Sequence, residues 1–263
     1  MIGILTNQKG GVAKTTNTIH IASALAQKNH KVLIIDMDPQ CDLTHGVAAG
    51  SKSYDIIDFL ENKPNFSVEE KAPNFYILQG NEDFISNKYN INVLEKALNK
   101  KQKSGISVNT YFDFIFIDAP PSKIIPNSLL KNHQYSEVEI ALYASDFFLI
   151  PLEAKEYVIK NADKFLGRIF TFMTDYNRKI AFLGFFFGVI LETSNSKKYY
   201  EKIFKKHSTN FLFDNYIRQD IEVEKAVRYG KTIFQHKPNS RAAKDYIELT
   251  NEFLKSPKII YND

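Results

Sequence analysis

Two nearly unbroken apolar runs, VLIID at 32–36 and FDFIFID at 112–118, constrain this chain more than any other feature. A strand with one wet face alternates polar and apolar residues, so such runs read as strands covered on both faces. Comparable runs occur at 2–5, 75–78, 147–151 and 181–191. Helical patterns lie between or after them, at 14–27, 93–101, 157–172, 198–207, 221–228 and 241–254. Alternation of this kind requires right-handed crossovers and predicts an α/β fold, a doubly wound, mainly parallel sheet flanked by helices. The 263 residues suffice for one large domain spanning 1–263, since no repeat or linker interrupts them. The segments 61–74 and 119–136 read as loops.

Composition narrows the classes. The chain is 44% hydrophobic and 24% charged, ordinary for a globular protein. No apolar run approaches the roughly 18 residues of a membrane-spanning helix, and the N-terminus lacks the pattern of an export signal. Cys41 is the single cysteine, which excludes a disulfide framework or a multi-cysteine metal site. A cytoplasmic location is therefore expected. The histidines show no metal-binding spacing, and the run Phe185 to Phe187 reads as buried strand.

Between the first strand and the first helix lies NQKGGVAKTT, residues 7–16. A glycine-rich turn of this kind presents backbone N–H groups to an anion, reinforced by the positive end of the helix dipole. Gly10 and Gly11 permit close approach of a phosphate, Lys14 is placed to reach it, and Thr15 can offer its hydroxyl to Mg²⁺. The full phosphate-loop pattern is not met, because Ala13 stands where its last glycine belongs. Taken alone, the stretch also suits a flexible turn with no ligand. The strand ends argue against that. VLIIDMD closes on Asp36 and Asp38, and FDFIFID closes on Asp118, at the sheet edge where ligands of doubly wound folds bind. Three acids beside a Lys-Thr loop suit a Mg²⁺-nucleotide.

Together KGGVAKTT, DMDPQ and FIDAPPS resemble the deviant Walker A ATPases of the SIMIBI class, specifically the ParA/Soj partition proteins. The stretches IRQDIEVEKAVRYGKTIF and SRAAKDYIEL are similar to the closing region of the same family. The resemblance implies ATP and Mg²⁺ as ligands. It implies that Lys9, Gly10, Gly11, Val12, Ala13, Lys14, Thr15 and Thr16 hold the phosphates. Thr15, Asp38 and Asp118 match the metal site. Lys9, Lys14 and Asp38 match the catalytic set, with Asp38 placing the attacking water and Asp36 supporting it. Lys9 matches the signature lysine, which in this family crosses an ATP-dependent homodimer to the facing subunit's phosphates. Ala13 departs from the family's glycine and fits if its φ is negative.

The last quarter of the chain carries the charge. Residues 197–263 hold 11 Lys and 3 Arg against 9 acids, whereas 1–196 hold 20 basic and 21 acidic residues. A polyanion partner explains this excess, and so does a solvated lysine-rich face. The resemblance implies non-specific DNA binding from this region, with Arg218, Arg228, Lys231 and Arg241 as the expected contacts. It further implies a ParB-like centromere-binding partner that stimulates a weak basal ATPase, plasmid or chromosome partition, and nucleoid association of the ATP form. Positioning of a protein cargo, or a nucleotide-binding scaffold with little turnover, are the alternatives. The first strand begins at residue 2, so no N-terminal helix-turn-helix domain is expected. Pro257 interrupts the short tail NEFLKSPKIIYND, so no membrane recruitment is expected either.

Overall fold

The computed structural model describes residues 1–50, 53–126, 134–154, 158–191, 195, 198–199, 201–202, 211–256 and 259. The chain runs β1 (Ile2–Leu5), α1 (Lys14–Gln27), β2 (Val32–Asp36), α2 (Asp42–Gly46), α3 (Ile56–Leu60), β3 (Glu69–Ala72) and β4 (Phe75–Leu78). It continues through α4 (Val93–Asn99), α5 (Val108–Tyr111), β5 (Phe114–Asp118), α6 (Glu137–Ala144), β6 (Phe147–Glu153), α7 (Val158–Asp175) and β7 (Ala181–Val189). The closing helices are α8 (Ile221–Arg228), α9 (Ile233–His236) and α10 (Arg241–Leu254).

The strands form one sheet in the order β3-β4-β2-β5-β1-β6-β7. All neighbours are parallel except β3 and β4. The doubly wound expectation is met. Successive residues of one strand enter opposite cores, as the two-residue strand period demands. Leu33 and Ile35 of β2, with Ile115 and Ile117 of β5, pack into one core beside α4, α6 and α7. Val32, Ile34, Phe114 and Phe116 pack into the other beside α1 and α10. Both sets are apolar because neither face meets water.

Some expectations shift at their ends. The strand expected at 112–117 occupies Phe114–Asp118, and the one at 181–191 stops at Val189. The helix expected at 157–172 runs on to Asp175, and that at 93–101 stops at Asn99. Most of the helix expected at 198–207, the histidines at 133 and 207, and most of the tail after 256 lie outside the described residues. The 61–74 loop contains β3, whose sequence Glu-Glu-Lys-Ala offers no apolar alternation. A charged, short, antiparallel strand is a common cover for a sheet edge.

The helix following the Gly-rich turn is tied to the end of the chain. Tyr246 of α10 donates its hydroxyl to Asn17 Oδ1 at 2.9 Å, both side chains being buried. The Ile233 amide of α9 donates to His20 Nδ1 at 3.3 Å, and the His20 ring lies 4.9 Å from that of Tyr246. Burial pushes His20 down to about 3, from an ordinary value of 6.5. The native state therefore refuses a proton that the unfolded chain accepts below pH 6.5, and stability falls as pH drops through that window. His20→Asn keeps an acceptor for Ile233 without titrating. The wild type should lose about 2 kcal/mol relative to His20→Asn between pH 7 and pH 5 in urea unfolding. A difference that stays constant with pH would remove His20 from the titrating set.

Candidate nucleotide site

β1, β5 and β2 are neighbours, so the turn after β1 and the acids ending β2 and β5 meet at one edge. Asp36 and Asp118 face each other in register across β2 and β5. Gly11 has φ +75, and a Cβ built on it meets nothing within 4 Å. A Cβ on Gly10 meets only Pro121, at 3.8 Å. The turn is therefore open above, as a phosphate cradle must be. Ala13 takes φ 59 and ψ 34, in the left-handed region. The expectation of a negative φ there is corrected: the αL turn is retained without glycine, at a cost of about 1–2 kcal/mol. Ala13 N-caps α1 with no side-chain bond, and no acid lies in the helix's first turn. The amides at this end have no competing side-chain anion.

Lys14 is 8% exposed. Burial lowers its pKa, while the carboxylates of Asp118 and Asp38 oppose that shift. Thr15 Oγ1 donates to Asp118 Oδ2 at 2.7 Å. Asp118 Oδ1 is buried and has no partner among the described residues. Burial pushes Asp118 up to about 8, helped by Asp36, against the pull of Thr15 and Lys14. Burial thus disfavours the ionised carboxylate, and a cation beside it would offset that cost. A hydroxyl and an orphaned carboxylate oxygen beside an open anion cradle fit a divalent cation carried by phosphates. Asp38 is half-buried, its Oδ1 accepting from the Gln40 amide at 2.9 Å, and burial raises its pKa.

Asp36 has a different task. Its Oδ2 accepts from the Thr44 hydroxyl at 2.6 Å and the Thr44 amide at 2.9 Å, and its Oδ1 accepts from the Asp38 amide at 3.1 Å. It fixes the turn that presents Asp38. Burial pushes it up to about 6. Cys41, also left-handed at φ 55, caps α2 beneath this turn. Burial and the surrounding acids push its thiol up to about 12, so it is inert.

The structure brings Gly10, Gly11, Val12, Ala13, Lys14, Thr15, Thr16, Asp38 and Asp118 to one strand edge. Lys9 projects elsewhere, into a salt bridge with Glu153 at the end of β6. Nothing in the sequence flagged Glu153, which lies 144 residues away.

The four basic residues expected to meet DNA divide into two pairs. Arg218 grips the 5%-exposed Asp245, its Nε donating to Oδ2 at 2.9 Å and its Nη2 to Oδ1 at 2.5 Å. Arg241 donates to the Gln219 carbonyl at 3.0 Å. Both fasten α10 to the segment before α8. Arg228 and Lys231 are exposed, beside Tyr229 at 62% exposure. Lys225 and Lys237 are partly neutralised by Glu222, at 2.9 and 3.7 Å. No helix among the described residues is long and apolar enough to cross a membrane.

Comparison with known proteins agrees with this geometry. A family model described as an AAA domain matches residues 1–182. The chromosome-partitioning ATPase Soj of Thermus thermophilus is 26% identical over 250 residues, covering 95% of this chain and 94% of that protein. McdA of Cyanothece, solved as an ATP complex, superposes with a TM-score of 0.74 at 19% identity, covering 96% of this chain and 95% of that one. A plasmid partition protein of Borrelia burgdorferi bound to AMPPNP gives 0.68 at 21% identity, covering 97% and 98%. The chain belongs to this AAA domain family, as a ParA/Soj-type ATPase of the deviant Walker A kind.

Proposed function

We propose that the protein hydrolyses ATP, dimerises around it, and binds DNA non-specifically in the dimeric state to drive plasmid or chromosome partition. The observation that carries the reading is Lys14, buried at the start of α1 after the open Gly10–Gly11 turn, where the charges of Asp118 and Asp38 act on it. A desolvated cation held beside acids that resist ionisation is poised for a polyanion with its own metal. Thr15, Asp118 and Asp38 are the residues to hold Mg²⁺, directly or through water; bound there, the ion would neutralise phosphate charge. Lys14 and the loop amides bind the β- and γ-phosphates and stabilise charge developing on the transferred group. Asp38 accepts a hydrogen bond from the attacking water, and Asp36 keeps that carboxylate in place. Lys9, delivered by the facing subunit, completes the site, so turnover requires the dimer. The basal rate is low, and a ParB-like partner accelerates it.

The partition task is supported by the chromosome-partitioning name of the Thermus relative and by its coverage of 95% of this chain. The DNA face centres on Arg228 and Lys231, whose charges have no ion-pair partner among the described residues. Arg218 and Arg241 shape that face by anchoring α10. The ATP form is expected on the nucleoid, in the cytoplasm, and the protein acts as a single ATPase domain.

DNA binding by the purified chain, followed by anisotropy across a salt series, should occur with ATP and be absent with ADP or no nucleotide. Asp38→Ala should abolish turnover and prolong the DNA-bound state. Binding that ignores nucleotide would refute the switch. The double variant Arg228→Glu, Lys231→Glu should weaken DNA binding at least ten-fold. It should lower the salt slope by about one unit per lost phosphate contact, with dimerisation unchanged. Undiminished DNA affinity would place the interface elsewhere.

A further inference from the structure

The proposed dimer turns on Lys9, yet this residue is already engaged on its own chain. Its ammonium is paired with the Glu153 carboxylate, the last residue of β6. The contact belongs to a set. Asn7 Nδ2 donates to the Pro151 carbonyl at 2.9 Å, and Arg168 Nη1 of α7 donates to Gln8 Oε1 at 2.7 Å. Three consecutive side chains of the phosphate loop are thus fastened to the end of β6 and to α7. The Asn7 Oδ1 also accepts from the Lys9 amide at 2.9 Å, which fixes the backbone from which the lysine departs. The Lys9 side chain is 49% exposed and that of Glu153 only 18%. The carboxylate is sheltered in the chain while the cation can leave from the solvent side.

We infer that Glu153 is a positioning residue that holds Lys9 on its own chain and sets the threshold for ATP-dependent dimerisation. The inference rests on the sandwich-dimer reading above and adds a competitor to it. Lys9 cannot serve Glu153 and a facing phosphate together, so each crossing breaks one bridge. A two-fold dimer breaks two, and the effects multiply. A pair as exposed as this is worth a few-fold in an equilibrium constant. Its loss from both subunits therefore changes dimer affinity by about five- to twenty-five-fold. The competition also reads the nucleotide. A triphosphate offers the lysine more negative charge than the single Glu153 carboxylate, whereas a diphosphate lacks the terminal group that would outbid it. Glu153 thereby sharpens the distinction between ATP and ADP.

The test is the dimer dissociation constant by sedimentation equilibrium, with a slowly hydrolysed ATP analogue and with ADP. Wild type, Glu153→Gln, Lys9→Ala and the double variant are compared, with nucleotide affinity of the monomer as a control for folding. Glu153→Gln should tighten the analogue-bound dimer about five- to twenty-five-fold, raise dimerisation with ADP, and leave monomer nucleotide affinity unchanged. In the Lys9→Ala background the same change should do nothing, which a general packing effect would not reproduce. A wild-type dimer with Glu153→Gln equal or weaker overturns the latch alone. Tightening that persists without Lys9 overturns it as well. A wild type that stays monomeric with the analogue counts against the sandwich dimer, and the latch falls with it if Glu153→Gln is monomeric too.

Discussion

The pairing of β5 with both β1 and β2 is the constraint on which the site depends. β1 leads into the phosphate loop, β2 ends on Asp36, and β5 ends on Asp118. Parallel pairing puts all three C-terminal ends on one edge, within reach of a single ligand. The strands pair so because their apolar residues fill cores on both faces, and a one-residue slip would exchange the two sets. Phe116 and Ile117 belong to opposite cores, so the register that buries them also fixes where Asp118 emerges. Packing within the two cores thereby sets the position of the Asp118 carboxylate at the sheet edge.

Within that frame the site is held in a costly state. Asp36 and Asp118 are buried acids pushed up to about 6 and about 8, and Lys14 is a buried cation pushed down. Ala13 and Cys41 both adopt left-handed angles at strand-to-helix turns on the same edge. Strain and desolvation of this kind persist only where the surrounding structure over-determines them, and they cluster at functional sites. A phosphate chain with its metal relieves the electrostatic part. The ties from Asn17 and His20 of α1 to α9 and α10 join the helix that follows the loop to the C-terminal helices.

Much of this was legible in the sequence because the informative residues are local. Apolar runs gave the central strands, and the loop and acids lie beside them in the chain. The polar strand β3 was not legible, since Glu69 to Ala72 gains its conformation from pairing with β4 rather than from its own pattern. The condition of a negative φ at Ala13 is not met, because residue preference favours negative angles while the turn dictates a left-handed one. Arg218 and Arg241 are basic residues in a basic region, and only contacts with Asp245 and Gln219 reveal their structural engagement. The Lys9–Glu153 pair joins residues brought together by β1–β6 pairing, which no spacing along the chain discloses.

The central claim is that each site is completed by a lysine from the facing chain. Subunit complementation tests it most directly. Lys9→Ala keeps the phosphate-binding Lys14 but cannot complete a partner's site; Lys14→Ala cannot hold its own nucleotide but still offers Lys9. Each variant alone should hydrolyse ATP poorly. Mixed together, they should form heterodimers with one complete site, and ATP turnover of the mixture should rise severalfold above the sum of the separate rates. Turnover equal to that sum would mean that Lys9 acts within its own chain, and the shared-site account would be wrong.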